Sequence, residues 1–154
     1  MPTIRLQLDI PGLSSGDALE FYGPTLQADI RRHDFGSPAA AGSDASPPQA
    51  MMYPALIDTG ARESGIDSTL AVELGLAVED TERQASGILG MGAVNVYPAR
   101  ISIFELGLSV VGSFVGVRLA VGGQPYRALI GRDILKNFMM VYDGRTGIVT
   151  LSDD

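Results

Sequence analysis

The amino-acid sequence predicts an all-β fold, and two observations lead to that expectation. Polar and apolar residues alternate with a period of two over Thr3–Ile10, over parts of Thr25–Ile30 and over Ile101–Leu106, as half-buried strands require. Nineteen glycines and nine prolines interrupt such segments at short intervals, which is typical of a β-barrel or β-sandwich. Because 45% of the 154 residues are hydrophobic, the chain can bury a core, and we expect one domain over residues 1–154.

The composition changes between His33 and Gln49. Residues 34–50 are rich in proline, alanine, glycine and serine and hold little that a core could bury, so we predict a flexible insertion there. The segment before it is too short for a core of its own, and we expect the insertion to interrupt a hairpin whose second strand is Met51–Ile57. Alternatively, the residues before Met51 form a removable pro-segment.

One or two short helices are expected against this background. The first is predicted at Ser68–Leu74, where Asp67 or Ser68 can cap the first turn and Gly75 can end the last one. The second begins near Arg132 or Asp133. A closing hairpin is predicted after it, with strands at residues 139–142 and 148–151.

Several classes of chemistry are excluded by what the chain lacks. It has no cysteine and a single histidine, His33, so we expect no disulfide, no thiol nucleophile and no metal site, and we predict that the protein needs no cofactor. A serine hydrolase is also rejected, because no Gly-x-Ser-x-Gly element is present and His33 borders the insertion.

Charge and hydropathy limit the partners. The net charge of −7 and a pI near 4.5 repel nucleic acid. No apolar segment is long enough to span a membrane, and the N-terminus lacks the continuous apolar stretch of a secretory signal. We therefore expect a cytoplasmic protein that binds neither nucleic acid nor membranes.

The most informative motif is Asp58-Thr59-Gly60, which follows the apolar run Tyr53–Ile57 and precedes the small Ala61. A second segment, Leu129–Leu135, places Gly-Arg-Asp between apolar residues. On these two motifs, the stretch from Ala55 to Leu151 resembles the retropepsin-like (retroviral-type) aspartic peptidases, in the bacterial single-domain form with one Asp-Thr-Gly per chain. The resemblance implies a closed β-barrel or sandwich that acts as a homodimer.

If the chain is an aspartic peptidase, its chemistry requires a homodimer. Peptide hydrolysis by an aspartic peptidase needs a water held between two carboxylates, one ionised as general base and one protonated. Two neighbouring aspartates share one proton, a behaviour for which aspartic peptidases are the standard example. Because this chain supplies only Asp58, the second carboxylate must come from another copy.

The resemblance also implies roles for the neighbours of Asp58. Gly60 allows a close backbone approach, the Thr59 hydroxyl bonds across the two-fold axis, and Ala61 is small for the same reason. These residues would form the active-site turn and lock the dimer together.

The second motif is expected to support the turn. Gly131 is needed for close packing, Arg132 is expected to be a buried or half-buried structural arginine, and Asp133 is expected to cap the second helix. The sequence departs from the retroviral pattern at Arg62, which stands where the family has the acidic partner of that arginine. Glu63 is the nearest replacement.

Glycines cluster between apolar residues over Ser86–Tyr97, and this segment resembles the hairpin flap of the family. We assign Gly90, Met91 and Gly92 to its tip and Ile88 to a substrate-contacting wall. An ordinary β-turn with packing glycines fits the same residues.

The sequence therefore predicts an aspartic endopeptidase that cuts peptide or protein substrates with Asp58 from each of two subunits. The alternative is a catalytically inactive dimeric module with the same fold that binds peptides, and Arg62 beside the turn favours it. The other N-terminal aspartates, Asp9, Asp17, Asp29 and Asp34, are predicted to be solvated.

Overall fold

The computed structural model describes residues 2–33, 51–87 and 90–153, and for residues 81–82, 84–87 and 90–93 it describes the backbone only. The predicted insertion at 34–50, with Asp34, lies outside the described residues. The strands are β1 (Thr3–Gln7), β2 (Thr25–Arg31), β3 (Met52–Ile57), β4 (Gly65–Asp67), β5 (Asp80–Gly87), β6 (Gly90–Ile103), β7 (Leu108–Val117), β8 (Ala128–Ile130), β9 (Met139–Asp143) and β10 (Ile148–Ser152). The helices are α1 (Ser15–Tyr22), α2 (Ser68–Glu73) and α3 (Arg132–Leu135), with a 3₁₀ turn at Phe104–Leu106.

Six strands close into a barrel. Their order is β2-β3-β8-β4-β7-β6, and β6 pairs again with β2, so the ring has no open edge. The β3–β8 and β4–β7 pairs are parallel, and the other pairs are antiparallel. β5 extends the sheet outward from β6, while β1, β10 and β9 form a separate antiparallel sheet. The expected closed all-β fold with a few short helices is confirmed.

Strand alternation builds the core. Apolar side chains from β2, β3, β4, β6 and β8 point inward and are almost completely buried, and the largest of them belong to Leu26, Ile30, Ile66, Ile101, Ile103 and Ile130. Burial of each such side chain contributes roughly 2 kcal/mol of transfer free energy. This core fixes the ends of β3 and β8, the two strands that lead into the predicted motifs.

Most predicted elements are confirmed, with local differences. The Asp67 carboxylate accepts from the Leu70 amide at 3.2 Å and caps α2, and Gly75 follows the helix with φ +67°. The strand predicted at Ile101–Leu106 is wrong in its second half, since β6 ends at Ile103 and the chain turns into Gly107, which has φ +61°. α1 is an additional helix that the sequence pattern does not predict.

The strands on either side of residues 34–50 do form the predicted hairpin, with Thr25 opposite Leu56 and Asp29 opposite Met52. The prediction that Asp29 is solvated is wrong, because only 1% of this residue is exposed. Its carboxylate accepts from Arg31 Nε and Nη2, both at 2.7 Å, and from the Met51 amide at 2.8 Å. Asp29 therefore links β2 to Met51, the residue that precedes β3.

Candidate active site

The Asp58 turn is held by the parallel pair of β3 and β8. Ile57 lies opposite Ile130, and the Asp58 amide donates to the Ile130 carbonyl at 2.9 Å. The turn then closes on itself, since the Gly60 amide donates to Asp58 Oδ1 at 2.9 Å and the Ala61 amide donates to the Asp58 carbonyl at 3.2 Å. Asp58 is half-buried, whereas Thr59 and Gly60 are exposed. The barrel thus presents a fixed carboxylate, with one oxygen already accepting a hydrogen bond, next to an exposed glycine.

Gly131 lies where no side chain fits. A Cβ placed there would meet the Glu63 carbonyl carbon at 2.8 Å, the Glu63 oxygen at 2.9 Å and the Ala61 oxygen at 3.0 Å. All three are backbone atoms, which cannot move aside as a flexible side chain could. The structure therefore brings the Gly-Arg-Asp segment into direct contact with the loop that follows Asp58, as the motif predicted.

Arg132 ties α3 to the same turn. Its amide donates to the Ala61 carbonyl at 2.9 Å, and its Nη1 donates to the Thr59 carbonyl at 2.7 Å. The prediction of a buried or half-buried Arg132 is wrong for the single chain, where the side chain is exposed. Glu63 does not replace the missing acidic partner, because its carboxylate pairs with Arg83 on β5.

Asp133 was predicted to cap α3 but lies two positions beyond the N-cap. The N-cap of α3 is Gly131, which offers no side chain, and Asp133 lies in the first turn. Its carboxylate accepts from the Ser64 amide at 3.0 Å, from the Ser64 hydroxyl at 2.7 Å and from the Ile134 amide at 2.9 Å. The Ser64 oxygen in turn accepts from the Gly131 amide at 2.9 Å.

Ser64 is thus a site residue that the sequence reasoning missed. It is 1% exposed, and its hydroxyl binds both Gly131 and Asp133, which ties the loop after the Asp58 turn to the Gly-Arg-Asp segment. The only available signal is a small polar residue between the charged Glu63 and the apolar strand β4, and that signal is weak.

The segment predicted to be the flap has the backbone of a hairpin. Ala85 lies opposite Gly92, Ser86 opposite Met91 and Gly87 opposite Gly90 in the β5–β6 pair. Gly90, Met91 and Gly92, predicted to form the tip, lie instead in β6, opposite Gly87, Ser86 and Ala85. Ile88 and the side chains of these three residues lie outside the described residues. The substrate-binding role of this hairpin therefore stays a prediction.

Two further results concern partners. Within residues 2–33, 51–87 and 90–153, no group of three or more histidine, cysteine, aspartate or glutamate side chains is arranged to hold a metal ion. No helix of that part of the chain is long and apolar enough to cross a membrane.

Comparisons with known proteins give distant likenesses. No protein-family model matches the chain, and no curated protein does. Among solved structures, the chain is similar to the EIAV protease complexed with the inhibitor HBY-793, with 18% identity and a TM-score of 0.45 over 73% of this chain and 85% of that one. It is also similar to a retropepsin-like aspartic protease from Rickettsia conorii, with 14% identity and a TM-score of 0.48 over 97% of this chain and 89% of that one.

Identities and TM-scores this low carry no weight for activity, and the fold assignment rests on the strand pairings. By those pairings, the chain has the closed β-barrel, with an Asp-Thr-Gly turn packed against a Gly-Arg-Asp helix, that its resemblance to retropepsin-like aspartic peptidases led us to expect.

Proposed function

We propose that the protein is a homodimeric aspartic endopeptidase in which each of two copies contributes Asp58. The observation that carries the proposal is the fixed turn at the end of β3, where Asp58 Oδ1 accepts from the Gly60 amide at 2.9 Å. The β3–β8 pair, Gly131 and Arg132 hold this turn from three sides.

In the proposed reaction the ionised Asp58 carboxylate takes a proton from water as the water attacks the peptide carbonyl. The protonated Asp58 of the other copy donates a hydrogen bond to that carbonyl and stabilises the charge that develops on its oxygen. The nitrogen of the leaving peptide then receives a proton from the pair, and the peptide bond breaks. The reaction needs no metal or cofactor, and we expect it to be fastest at mildly acidic pH, where the pair retains one proton.

The exposed edge of the small sheet supports a second copy as the partner. β9 pairs with β10 on one side and is the last strand of its sheet. Met139, Val141 and Tyr142 are each about half exposed along it. Such an apolar edge is an aggregation hazard unless something covers it. A second β9 running antiparallel about a two-fold axis would cover it and is the surface we propose for the dimer.

Peptides would bind as an added strand between the Asp58 turn and the β5–β6 hairpin, with Gly90, Met91 and Gly92 offering backbone contacts and Ile88 an apolar wall. The second candidate is the inactive peptide-binding module. It is favoured by Arg62, an exposed cation in the loop directly after Ala61. A cytoplasmic location belongs to the proposal as well and can be tested by cell fractionation.

The decisive experiment compares cleavage of a peptide library by the wild-type protein and by Asp58→Asn at pH 5 to 7. Asp9→Asn is the matched control, since it makes the same chemical change at an exposed site. We expect Asp58→Asn to lose at least about 1,000-fold in kcat/KM and the control to lose nothing. Equal cleavage by Asp58→Asn and wild type would refute the proposal, and peptide binding without cleavage in both would establish the module.

Mixing tests whether both carboxylates are needed in one site. Equal amounts of wild type and Asp58→Asn, unfolded and refolded together, should form random dimers, of which about one quarter hold two Asp58 residues. Specific activity should therefore fall to about one quarter of that of wild type, because only those dimers carry a complete pair. Activity of about three quarters would mean that one Asp58 suffices in a shared site, and about one half would mean that each Asp58 acts independently, and either result would contradict the paired mechanism.

A further inference from the structure

An ion pair joins the loop after the catalytic turn to the β5–β6 hairpin. Arg83 Nη2 contacts Glu63 Oε1, and the two side chains are 39% and 35% exposed. Glu63 belongs to the loop that starts at Ala61, while Arg83 lies on β5, the last strand of the seven-stranded sheet. The pair therefore bridges two structural units that a bound peptide would have to lie between.

The Glu63 end of this bridge is rigid. The Glu63 backbone packs directly against Gly131, leaving no room for a Cβ there. On either side of it, the Arg62 carbonyl accepts from the Asp133 amide at 3.2 Å, and the Ser64 amide donates to the Asp133 carboxylate at 3.0 Å. α3 thus fixes the Glu63 backbone relative to Asp58.

At the Arg83 end of the bridge, a β-bulge in β5 sets the direction of the side chain. Asp80 lies opposite Val96 and Arg83 lies opposite Val94, so β5 holds one residue more than β6 over this interval. Such bulges twist a strand and redirect its side chains. Arg83 is the first paired residue after the bulge, and its half-exposed side chain contacts Glu63.

We propose that Glu63 and Arg83 are positioning residues that set the distance between the β5–β6 hairpin and the Asp58 turn, and thereby the affinity for an extended peptide. This inference rests on the proposed function. A peptide strand held between the two units needs a fixed spacing, because neighbouring strands lie about 4.8 Å apart. The pair touches no reacting atom, so its loss should weaken binding of the peptide and leave the chemical step unchanged.

The test uses the full chain with Glu63→Gln, Arg83→Gln and the charge swap Glu63→Arg with Arg83→Glu. Arg118→Gln is the matched control, since Arg118 is an exposed arginine in the connection after β7. The first readout is amide hydrogen exchange in residues 84–87 and 90–94, with the amides of β3 and β8 as internal reference. The second is KM and kcat for the best substrate found in the peptide library.

In both single variants we expect the hairpin amides to exchange about three-fold faster, while the exchange rates of the reference amides stay unchanged. We also expect KM to rise about three-fold, with kcat unchanged. The swap should return both values toward wild type. Added salt at 1 M should weaken the hairpin in wild type and have no effect in the single variants, because it screens a half-exposed pair.

Exchange and KM equal to those of Arg118→Gln would overturn the inference, and so would a swap that restores neither. Faster exchange across β3 and β8 as well would show a merely structural role and would also overturn it. If wild type cleaves no peptide, the proposed function fails by itself. Hairpin exchange in the variants and the swap then still decides whether the pair positions the hairpin.

Discussion

At the scale of single residues, Gly131 leaves no room for a side chain beside the Asp58 turn. Replacing it with alanine would push a Cβ into the Glu63 and Ala61 backbone, so we expect Gly131→Ala to lower the free energy of unfolding by about 2 kcal/mol or more. Gly112→Ala is the control, since no atom lies within 4 Å of the added Cβ, and it should be neutral or slightly stabilising. Urea unfolding measures both, and equal midpoints would contradict the packing argument.

Asp29 makes stability depend on pH. Burial by itself raises the pKa of Asp29, but hydrogen bonds from Arg31 and the Met51 amide, together with the charges of Arg31 and Arg100, outweigh it and leave the pKa below its ordinary value. Because the pKa is lowered in the folded state, the stabilisation is complete above the unfolded pKa of about 4. It is lost as the pH falls through the folded value.

Asp29→Asn should therefore be less stable than wild type at neutral pH, by about 2 kcal/mol, and the difference should shrink as the pH falls below about 4. Chemical unfolding from pH 7 to pH 2.5 measures the difference. Asp9→Asn, at an exposed position, should follow wild type throughout. A constant difference between Asp29→Asn and wild type over the whole range would show that the charge of Asp29 plays no part.

The roles of single residues are also the hardest feature to predict from the sequence. Asp58, Gly60, Gly131 and Arg132 could be identified because their motifs carry them. The burial of Asp29 could not be predicted, since an aspartate in an alternating strand is expected to face solvent. Only pairing with Arg31, two positions later and on the same face of the strand, would have indicated otherwise.

At the scale of elements, β9 is the strand with an exposed apolar edge. Val141→Lys introduces a charge that would face its own copy at the centre of an antiparallel β9 pair, so we expect the dimer dissociation constant to rise at least about ten-fold. Val121→Lys is the control, because Val121 is also an exposed valine, at 65% against 52% for Val141, and lies outside β9. Sedimentation velocity over a wide concentration range measures the constant, and identical dimerisation of the two variants would exclude β9 as the interface.

Elements with strong end signals could be predicted, and those without them could not. α2 is bounded by Asp67 and Gly75, whose roles follow from their chemistry. α1 has a glycine in its first turn and buries only Ala18 and Leu19. Its sequence therefore shows no clear apolar face from which a helix could be predicted.

At the scale of the whole molecule, alternation and turn residues were enough to predict a β fold, but not its strand order. The parallel pairs β3–β8 and β4–β7 join segments that are far apart in the chain, and periodicity carries no information about which strands become neighbours. The expectation that the second motif supports the Asp58 turn came from the resemblance alone. The Glu63–Arg83 pair depends on both this topology and a bulge, so the sequence could not reveal it.

The place of β2 in the barrel has one more consequence. β2 precedes residues 34–50, yet it lies between β3 and β6 and closes the ring, with Leu26, Ala28 and Ile30 in the core. Residues Thr25–Arg31 are therefore a structural part of the barrel. Since the entropy of closing a loop grows only slowly with its length, the long connection across residues 34–50 costs the barrel little more stability than a short one would. If the chain is cut between residues 34 and 50, we expect the two fragments to reassemble into the same barrel by complementation, at concentrations high enough to replace the lost covalent link.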